Sequence, residues 1–384
     1  MYVLKHGMVH TGNGDAPFPA DLRIADGRIQ EIGRGLVCPE AEEIDLAGKD
    51  IFPGCIDPVC YMGCLNLQSI YKDHNERKGM ILPELRAEDS FSAEELVYQQ
   101  LYKRGITAVG ISTGGRNPVS GRMMACCTAG SSIKEMKLPG TAPLRGNFLQ
   151  STYVLSRQDA PYPLVRGSAL QSVVRILQSV RKEMEAGKEL AEWMLPFREL
   201  LTGEVPLMAA VEKEAEIRTL LERMKELPVR LILFGAYEAA PFAEELIEKQ
   251  IPVVLGDMAS GSGKMYRKVE LEKLVDGVKK GLVLAVSAAG IQENAGRDTF
   301  FWNLAELRKN GLSEEEAVTV AAKNPAKILG IEKETGTLEI GKRADLTVFT
   351  GHPFVNRTAV PEAVWIQGKP VWLREKRCGR RLAV

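Results

Sequence analysis

Short apolar segments alternate with longer amphipathic ones through the middle of this chain, and no other feature constrains the fold as strongly. The longer segments, such as 214–227 and 269–279, carry charged residues three or four positions apart, which is typical of helices. The shorter segments have strand length and lie at 106–112, 206–211, 229–235, 252–256 and 282–287. Strands separated by helices indicate a parallel sheet that helices cover. The alternation therefore predicts an α/β fold, a (β/α)8 TIM-like barrel.

Both ends of the chain carry a pattern of strands and turns instead. In the first fifty residues, short alternating segments surround turns such as Asp26-Gly27, and helical periodicity is missing. Short strand-like segments return in the last fifty residues. This arrangement predicts a small β-sandwich domain built from both termini, 1–52 plus 336–384, around a barrel at 53–335.

Charge and cysteine content narrow the class of partners and the compartment. The chain has 50 basic and 50 acidic residues, so its formal net charge is zero, and nothing in this balance favours nucleic acid or an anionic membrane. No apolar run approaches the ~20 residues of a membrane span, and the N-terminus lacks the pattern of a secretory leader. Seven cysteines, an odd number, are typical of reduced thiols. We therefore expect a cytoplasmic protein without nucleic-acid or membrane partners.

Four segments of the sequence resemble those of metal-dependent amidohydrolases. In chain order they are 45–57 (DLAGKDIFPGCID), 324–330 (NPAKILG), 336–346 (GTLEIGKRADL) and 364–371 (VWIQGKPV). Within this superfamily, the sequence is most similar to relatives of imidazolonepropionase. The residues that carry this second resemblance are Asn75-Glu76, Pro83, Arg86, Asp89 and Asn117-Pro118.

The resemblance implies hydrolysis of non-peptide C–N bonds, such as those of cyclic amides, with one or two divalent metals such as zinc. The metal lies at the carboxyl ends of the barrel strands, where it lowers the pKa of a bound water to ~7. The family's ligands are a His-x-His pair on the first strand, histidines on the fifth and sixth, an aspartate on the eighth and often a bridging lysine. The residues that stand at these positions are Val59 and Tyr61, Ala210, Phe234, Ala289 and, for the lysine, Cys127. We therefore predict a degenerate metal site and no metal cofactor.

The histidine count supports this prediction without any alignment. The chain has four histidines, and three of them (His6, His10 and His352) belong to the terminal segments. The fourth, His74, is interpreted as a solvent-exposed loop residue. One imidazole cannot supply the three or more protein ligands of a catalytic zinc ion.

Six residues near the predicted barrel mouth are candidates for binding a small molecule: Asp57, Tyr61, Asn75, Glu76, Arg86 and Asn117. Asp57 shares a strand face with positions 59 and 61, because side chains alternate along a strand. Cys127 would need a neighbouring base to act as a nucleophile, and no histidine is placed for that role.

Three functions remain open at this point. The first is a pseudoenzyme that binds a small molecule or supports a partner subunit. The second is a hydrolase that cleaves a cyclic amide or related C–N bond without metal, through Tyr61, Asp57, Glu76, Arg86 and Cys127. The third is a structural protein whose relevant surface is an oligomer interface. The family often forms dimers or larger assemblies, so a homo-oligomer is expected.

Overall fold

The computed structural model describes residues 1–65, 72–76, 80–95, 100–115, 117–149, 165–258, 269–290, 299–356 and 358–374. The strands are β1 (Tyr2–Val9), β2 (Phe18–Ala25), β3 (Arg28–Gly33), β4 (Glu42–Asp45), β5 (Asp50–Pro53), β6 (Cys55–Cys60), β7 (Ile106–Ile111), β8 (Val119–Arg122), β9 (Met124–Cys127), β10 (Leu144–Asn147), β11 (Leu207–Val211), β12 (Leu231–Gly235), β13 (Val253–Leu255), β14 (Leu284–Val286), β15 (Leu346–Phe349), β16 (Pro361–Ile366) and β17 (Lys369–Leu373). The α-helices are α1 (Ile133–Met136), α2 (Arg166–Glu185), α3 (Leu195–Leu201), α4 (Glu214–Met224), α5 (Ala243–Glu248), α6 (Leu271–Lys279), α7 (Thr299–Lys309), α8 (Glu314–Val318) and α9 (Asn324–Ile328). Short 3₁₀ turns lie at Ala87–Ser90, Tyr102–Arg104, Glu192–Met194 and Ala240–Phe242, and a π turn at Thr319–Lys323 joins α8 to α9. Among these helices, none combines the length and the apolar character that crossing a bilayer requires.

Strands from both termini form one sheet. Its order is β17-β16-β15-β5-β1-β2-β3, with β4 paired to β1. The two ends of the chain meet where β5 pairs parallel to β1 and antiparallel to β15. The sheet has its own apolar cluster, in which Trp365 is fully buried beside Leu4, Leu22 and Leu346. We call it the terminal sheet.

The middle of the chain forms a TIM-barrel-like α/β layer structure. One sheet has the order β14-β13-β12-β11-β10-β8, and a second has the order β6-β7-β9. The strands from β10 to β14 pair in parallel, as do β6 and β7. Helices α4, α5 and α6 connect successive strands from β11 to β14. The predicted alternation of strands and helices is confirmed from β11 to β14. Each of these strands, and each helix between them, begins and ends within three residues of its predicted bounds.

The strands β8 and β9 depart from the parallel arrangement that the sequence predicted. β8 is antiparallel to β10, and β9 is antiparallel to β7. A parallel return needs a crossover of about a dozen residues or more, whereas only the segment 112–118 separates β7 from β8. The connection is too short for a helix, so the chain reverses direction.

Apolar residues at helical spacing attach the helices to the sheets. Along α2 the buried residues include Leu170, Val173, Val174 and Leu177, which recur every three or four positions on one face. Each fully buried aliphatic side chain contributes about 1.5–3 kcal/mol. The helix layer therefore holds the strands, and the loops at their carboxyl ends, in fixed positions.

Candidate functional site

The carboxyl ends of the parallel strands meet at one edge of the structure, which we call the mouth. Loops at this edge carry the active site in TIM-barrel enzymes, because many strand ends converge there. The buried polar residues at or just after these strand ends are Tyr61, Ser112, Asn147, Glu212, Asp257 and Ser287.

The residues predicted to stand at the family's ligand positions carry mostly apolar atoms. Val59, Ala210 and Phe234 are completely buried, and Tyr61 and Ala289 nearly so. Ala210 pairs directly with Phe234 across β11 and β12, so neighbouring strands present a methyl group and a phenyl ring where histidines are expected. Zinc binds nitrogen, sulfur and carboxylate oxygen. This donor set, four hydrocarbons and one phenol, does not fit a divalent metal.

Cys127 does not belong to the mouth, which corrects the position expected for the bridging lysine. Because β9 runs antiparallel to β7, Cys127 pairs with Ala108, and the next residue, Thr128, donates its N–H to the carbonyl of Thr107. These partners lie at the amino-terminal end of β7. Burial raises the pKa of the Cys127 thiol to about 11, and the negative charge of Asp345 also raises this pKa. A thiol held in its protonated form away from the mouth is unsuited to be its nucleophile.

The mouth instead contains a buried arginine that the sequence analysis did not select. Arg145, on β10, has no exposed surface. Its guanidinium carbon lies 4.5 Å from the centre of the Phe234 ring, which places the charge among the replaced ligand positions. Cation–π contacts of this kind contribute about 2 kcal/mol when they are desolvated.

Among the described residues, no carboxylate pairs with the charge of Arg145. Within the part of the chain that the structure describes, its three guanidinium nitrogens have no hydrogen-bond partner, and no carboxylate makes an ion pair with it. Burial lowers the pKa of Arg145, and the nearby Tyr61 opposes this shift. Arginine nevertheless stays protonated in proteins. A buried cation without a partner is costly unless a ligand supplies the opposite charge.

Asp57 lies on the same strand as Val59 and serves as a structural clamp. Its carboxylate accepts the N–H of Val59 at 3.2 Å and the N–H of Ala288 at 3.0 Å. Burial raises its pKa to about 6, although these bonds and one from Ser287 pull the pKa down. The bond to Ala288 connects β6 to the segment after β14. Its acceptor capacity is largely used, so it contributes to the shape of the mouth and little to proton transfer.

Asn117 also supports the mouth through the backbone. Its carbonyl accepts the Asn147 side-chain amide at 2.7 Å, and the same amide nitrogen lies 3.2 Å from the hydroxyl of Ser120. Asn147 follows Arg145 by two residues on β10 and therefore points to the same face. The loop after β7 is thereby fixed against the strand that carries Arg145.

The other predicted ligand-binding residues line a separate cavity beside the mouth. This cavity has a volume of about 260 Å³, and its lining includes Asn75, Glu76 and Arg86. The Arg86 side chain is 66% exposed and pairs loosely with Glu88 at 3.4 Å, so it reaches solvent more than the cavity. The structure therefore does not bring these residues together with Arg145.

His74 is buried, which corrects its interpretation as an exposed loop residue. Its Nδ1 lies 3.2 Å from the carbonyl of Cys64, and its ring centre lies 4.9 Å from that of Tyr61. The adjacent Asn75 amide is 3.2 Å from His74 Nε2. His74 thus supports Tyr61 from the side away from β6. No apolar pattern around His74 in the sequence indicates this burial.

Within the described ranges, one set of three histidine, cysteine or acidic side chains lies close enough to share an ion, and it consists of His10, Glu315 and His352. It includes none of the mouth residues.

Comparisons with known proteins agree with the motifs. A profile of the Amidohydrolase family matches residues 205–371. Imidazolonepropionase from Symbiobacterium thermophilum is 24% identical over 379 residues, which cover 86% of this chain and 83% of that protein. The crystal structure of an amidohydrolase from Thermotoga maritima has a TM-score of 0.89 and 26% identity, and the match covers 97% of this chain and 100% of that one. Molinate hydrolase has the same fold at 18% identity, with a TM-score of 0.59 over 96% of this chain and 94% of its own.

Proposed function

The chain belongs to the amidohydrolase superfamily, and we propose that its mouth binds an anionic small molecule through Arg145 instead of a catalytic metal ion. In this proposal the protein is a pseudoenzyme: it keeps the superfamily's pocket but lacks the metal site that performs hydrolysis. The single observation that carries the proposal is the buried guanidinium of Arg145 among apolar replacements of the metal ligands.

Electrostatics favours an anion over a cation at this position. A divalent cation near Arg145 would meet a like charge in a poorly solvated site, where repulsion is strong. A carboxylate there would meet a planar fork of N–H donors that matches its two oxygens. Phe234 packs against one face of that fork. We therefore propose a carboxylate-bearing ligand.

We also propose that the two central sheets form one closed barrel, with the terminal sheet as a separate composite domain. Support comes from the edge between β6 and β14, where the Ser287 hydroxyl donates to the carbonyl of Val59 at 2.8 Å and Asp57 accepts from Ala288. At the other edge Met123 alone separates β8 from β9. Closure would surround Arg145 with strands and explain its complete burial.

Metal-free hydrolysis, the alternative function, is supported less well. Its candidate residues would have to converge on one substrate carbonyl. Asp57 is occupied by backbone N–H groups, Arg86 faces solvent, and Cys127 lies at the opposite strand end. The remaining candidates, Tyr61 and Glu76, do not form a nucleophile with its base.

The experiment compares matched acids and amides by calorimetric titration. The probes are propionate against propionamide, and hydantoin-5-acetate against hydantoin-5-acetamide. A charge-assisted hydrogen bond contributes about 1.5–3 kcal/mol, so each acid is expected to bind about 10–100-fold more tightly than its neutral partner. The Arg145→Met variant is expected to lose this preference.

Arg122→Met is the matched control, because Arg122 lies on the adjacent strand β8 and already pairs with Glu199. It is expected to retain the preference for acids. Equal binding of acids and amides by the wild-type protein would overturn the proposal. So would zinc-dependent hydrolysis of hydantoin, measured by product formation with and without added metal, that Arg145→Met leaves intact.

A further inference from the structure

A second group of polar residues lies where the terminal sheet meets the helices at the end of the central fold. His10 follows β1, His352 follows β15, and Glu315 belongs to the first turn of α8. One ligand-type atom from each of the three residues lies within 4.8 Å of the other two. The three residues come from distant parts of the chain, so only the fold brings them together.

The hydrogen bonds of His10 are those of a metal-binding histidine. Its Nδ1 lies 2.7 Å from a Glu315 carboxylate oxygen, and its Nε2 lies 3.1 Å from a carboxylate oxygen of Asp50. Histidines that bind a metal through one nitrogen usually donate the other N–H to a carboxylate, which fixes the ring. Asp50 occupies this orienting position, and Nδ1 points toward Glu315 and His352.

Two further atoms of the group are buried without a partner in the described part of the chain. They are Oε2 of Glu315 and Nε2 of His352. The other nitrogen of His352, Nδ1, accepts the N–H of Phe354 at 3.3 Å. Buried polar atoms almost always have a partner. These two atoms, a carboxylate oxygen and an imidazole nitrogen, are both able to bind a cation.

Aromatic rings pack against the two histidines of the group. The His10 ring stacks on Phe52 with centres 4.0 Å apart, and the His352 ring meets it edge-on at 5.3 Å. Phe354 lies 5.5 Å from His352. His10 is only 3% exposed. An apolar shell of this kind strengthens the bonds between a metal ion and its ligands.

We propose that His10 Nδ1, His352 Nε2 and the Glu315 carboxylate bind one divalent cation of the zinc type, with Asp50 as the orienting residue. Two histidines and one carboxylate are a known zinc ligand set, and water completes the tetrahedron. Binding releases the proton that His10 and Glu315 share. It also moves the His352 proton from Nε2 to Nδ1, and the long bond from Phe354 is given up. The ion would cross-link the terminal sheet to α8.

The test uses the full-length protein, stripped of metal with a chelator and then dialysed against zinc or cobalt. The proposal predicts one tightly bound zinc per chain by elemental analysis and a higher melting temperature with zinc than without. Cobalt is expected to give the visible spectrum of nitrogen and oxygen ligands, without a thiolate charge-transfer band. This spectrum is measured on the wild-type protein, so it does not depend on the folding of any variant.

Three variants assign the ion to this group. Glu315→Gln and His352→Phe each remove a ligand while they keep the side-chain size close, and both are expected to abolish stoichiometric zinc. Asp50→Asn is expected to weaken zinc binding about 10–100-fold, as is usual for an orienting residue. His6→Asn is the control, since His6 belongs to the same sheet but is 67% exposed and pairs with Asp45. It should bind zinc as the wild type does.

The result that would overturn the proposal is a wild-type protein that retains no zinc and whose melting temperature zinc does not change. Zinc that Glu315→Gln and His352→Phe both retain would equally overturn it. Failure of this proposal is distinguishable from failure of the proposed anion site. Zinc that Glu315→Gln and His352→Phe lose was bound by these residues and not at the mouth. Conversely, the loss of acid binding in Arg145→Met leaves the zinc content unchanged.

Discussion

The terminal sheet and the mouth each bury an arginine, but only the terminal sheet supplies its counter-charge. Arg343 donates from Nε to Asp345 at 3.0 Å, and the Asp345 side chain is completely buried. Burial alone would lower the pKa of Arg343, yet the charge and hydrogen bond of Asp345 outweigh it and the pKa is raised. Arg145 has no such partner in the described residues, and its pKa is lowered.

Under the proposed function, the difference separates a structural charge from a ligand-binding one. An ion pair such as Arg343 with Asp345 has its counter-charge within the chain, although Arg343 Nη2 has no hydrogen-bond partner in the described residues. A buried charge without a partner reduces the stability of the free protein, and such groups persist where a ligand makes up the loss. Asp57 belongs with the structural charges, because the N–H groups of Val59 and Ala288 bind its carboxylate, even though burial raises its pKa.

Breaking the ion pair between Arg343 and Asp345 should have the largest effect on stability. Arg343→Met leaves the Asp345 carboxylate buried and without its guanidinium, and the expected loss of unfolding free energy is about 3–5 kcal/mol. Chemical denaturation monitored by circular dichroism measures this loss. Acid binding at the mouth should remain. A loss below about 1 kcal/mol would mean that Arg343 is not a structural charge.

The second largest effect should be the pH dependence that Asp57 gives to the stability of the protein. Its folded pKa of about 6 lies above its ordinary value of 3.8, so between these values the folded state holds a proton that the unfolded state releases. Stability due to this group is therefore present at low pH and is lost as pH rises from about 4 through 6, by about 3 kcal/mol in total. The measurement is the unfolding free energy of the wild type minus that of Asp57→Asn at several pH values. A difference that stays flat or rises with pH would contradict the assignment.

Cys127 should have the smallest effect, because the antiparallel course of β9 removes it from the mouth. Cys127→Ala is expected to change acid affinity by less than about twofold, as is usual for a distant, uncoupled site. Its raised pKa of about 11 and its burial predict slow alkylation by iodoacetamide in the folded protein. The more exposed Cys38 provides the comparison, by mass spectrometry of peptides. Rapid modification of Cys127 would return it to the list of candidate nucleophiles.

The sequence predicted the repeating part of the fold well and the exceptional strands poorly. Regular alternation located β11 to β14 and their helices, because a buried parallel strand must be a short apolar run. The alternation could not reveal that β8 and β9 reverse direction. The direction of a strand depends on the length of the connection before it, and the sequence did not show where these connections begin and end. The misplacement of Cys127 followed from that one error.

The sequence predicted which residues stand at the family's ligand positions but did not point to Arg145. Val59, Ala210 and Phe234 were assigned to these positions through motifs and strand order, and this assignment stays a prediction. Arg145 lies in the segment Leu144 to Leu149, where it is one basic residue among apolar neighbours. That signal was available, but a single arginine in a strand usually reaches solvent along its long stem. Only the fold shows that both faces of β10 are covered.

The stability of Arg145→Met without any ligand is the most direct test of the account. Replacing an unpaired buried charge by an apolar side chain of similar length should raise the unfolding free energy of the free protein, by about 1–3 kcal/mol, while acid binding disappears. Denaturation of wild type and variant in buffer free of carboxylates and phosphate gives the answer. A variant less stable than the wild type under these conditions would show that the protein itself satisfies Arg145, and the proposed anion site would be wrong.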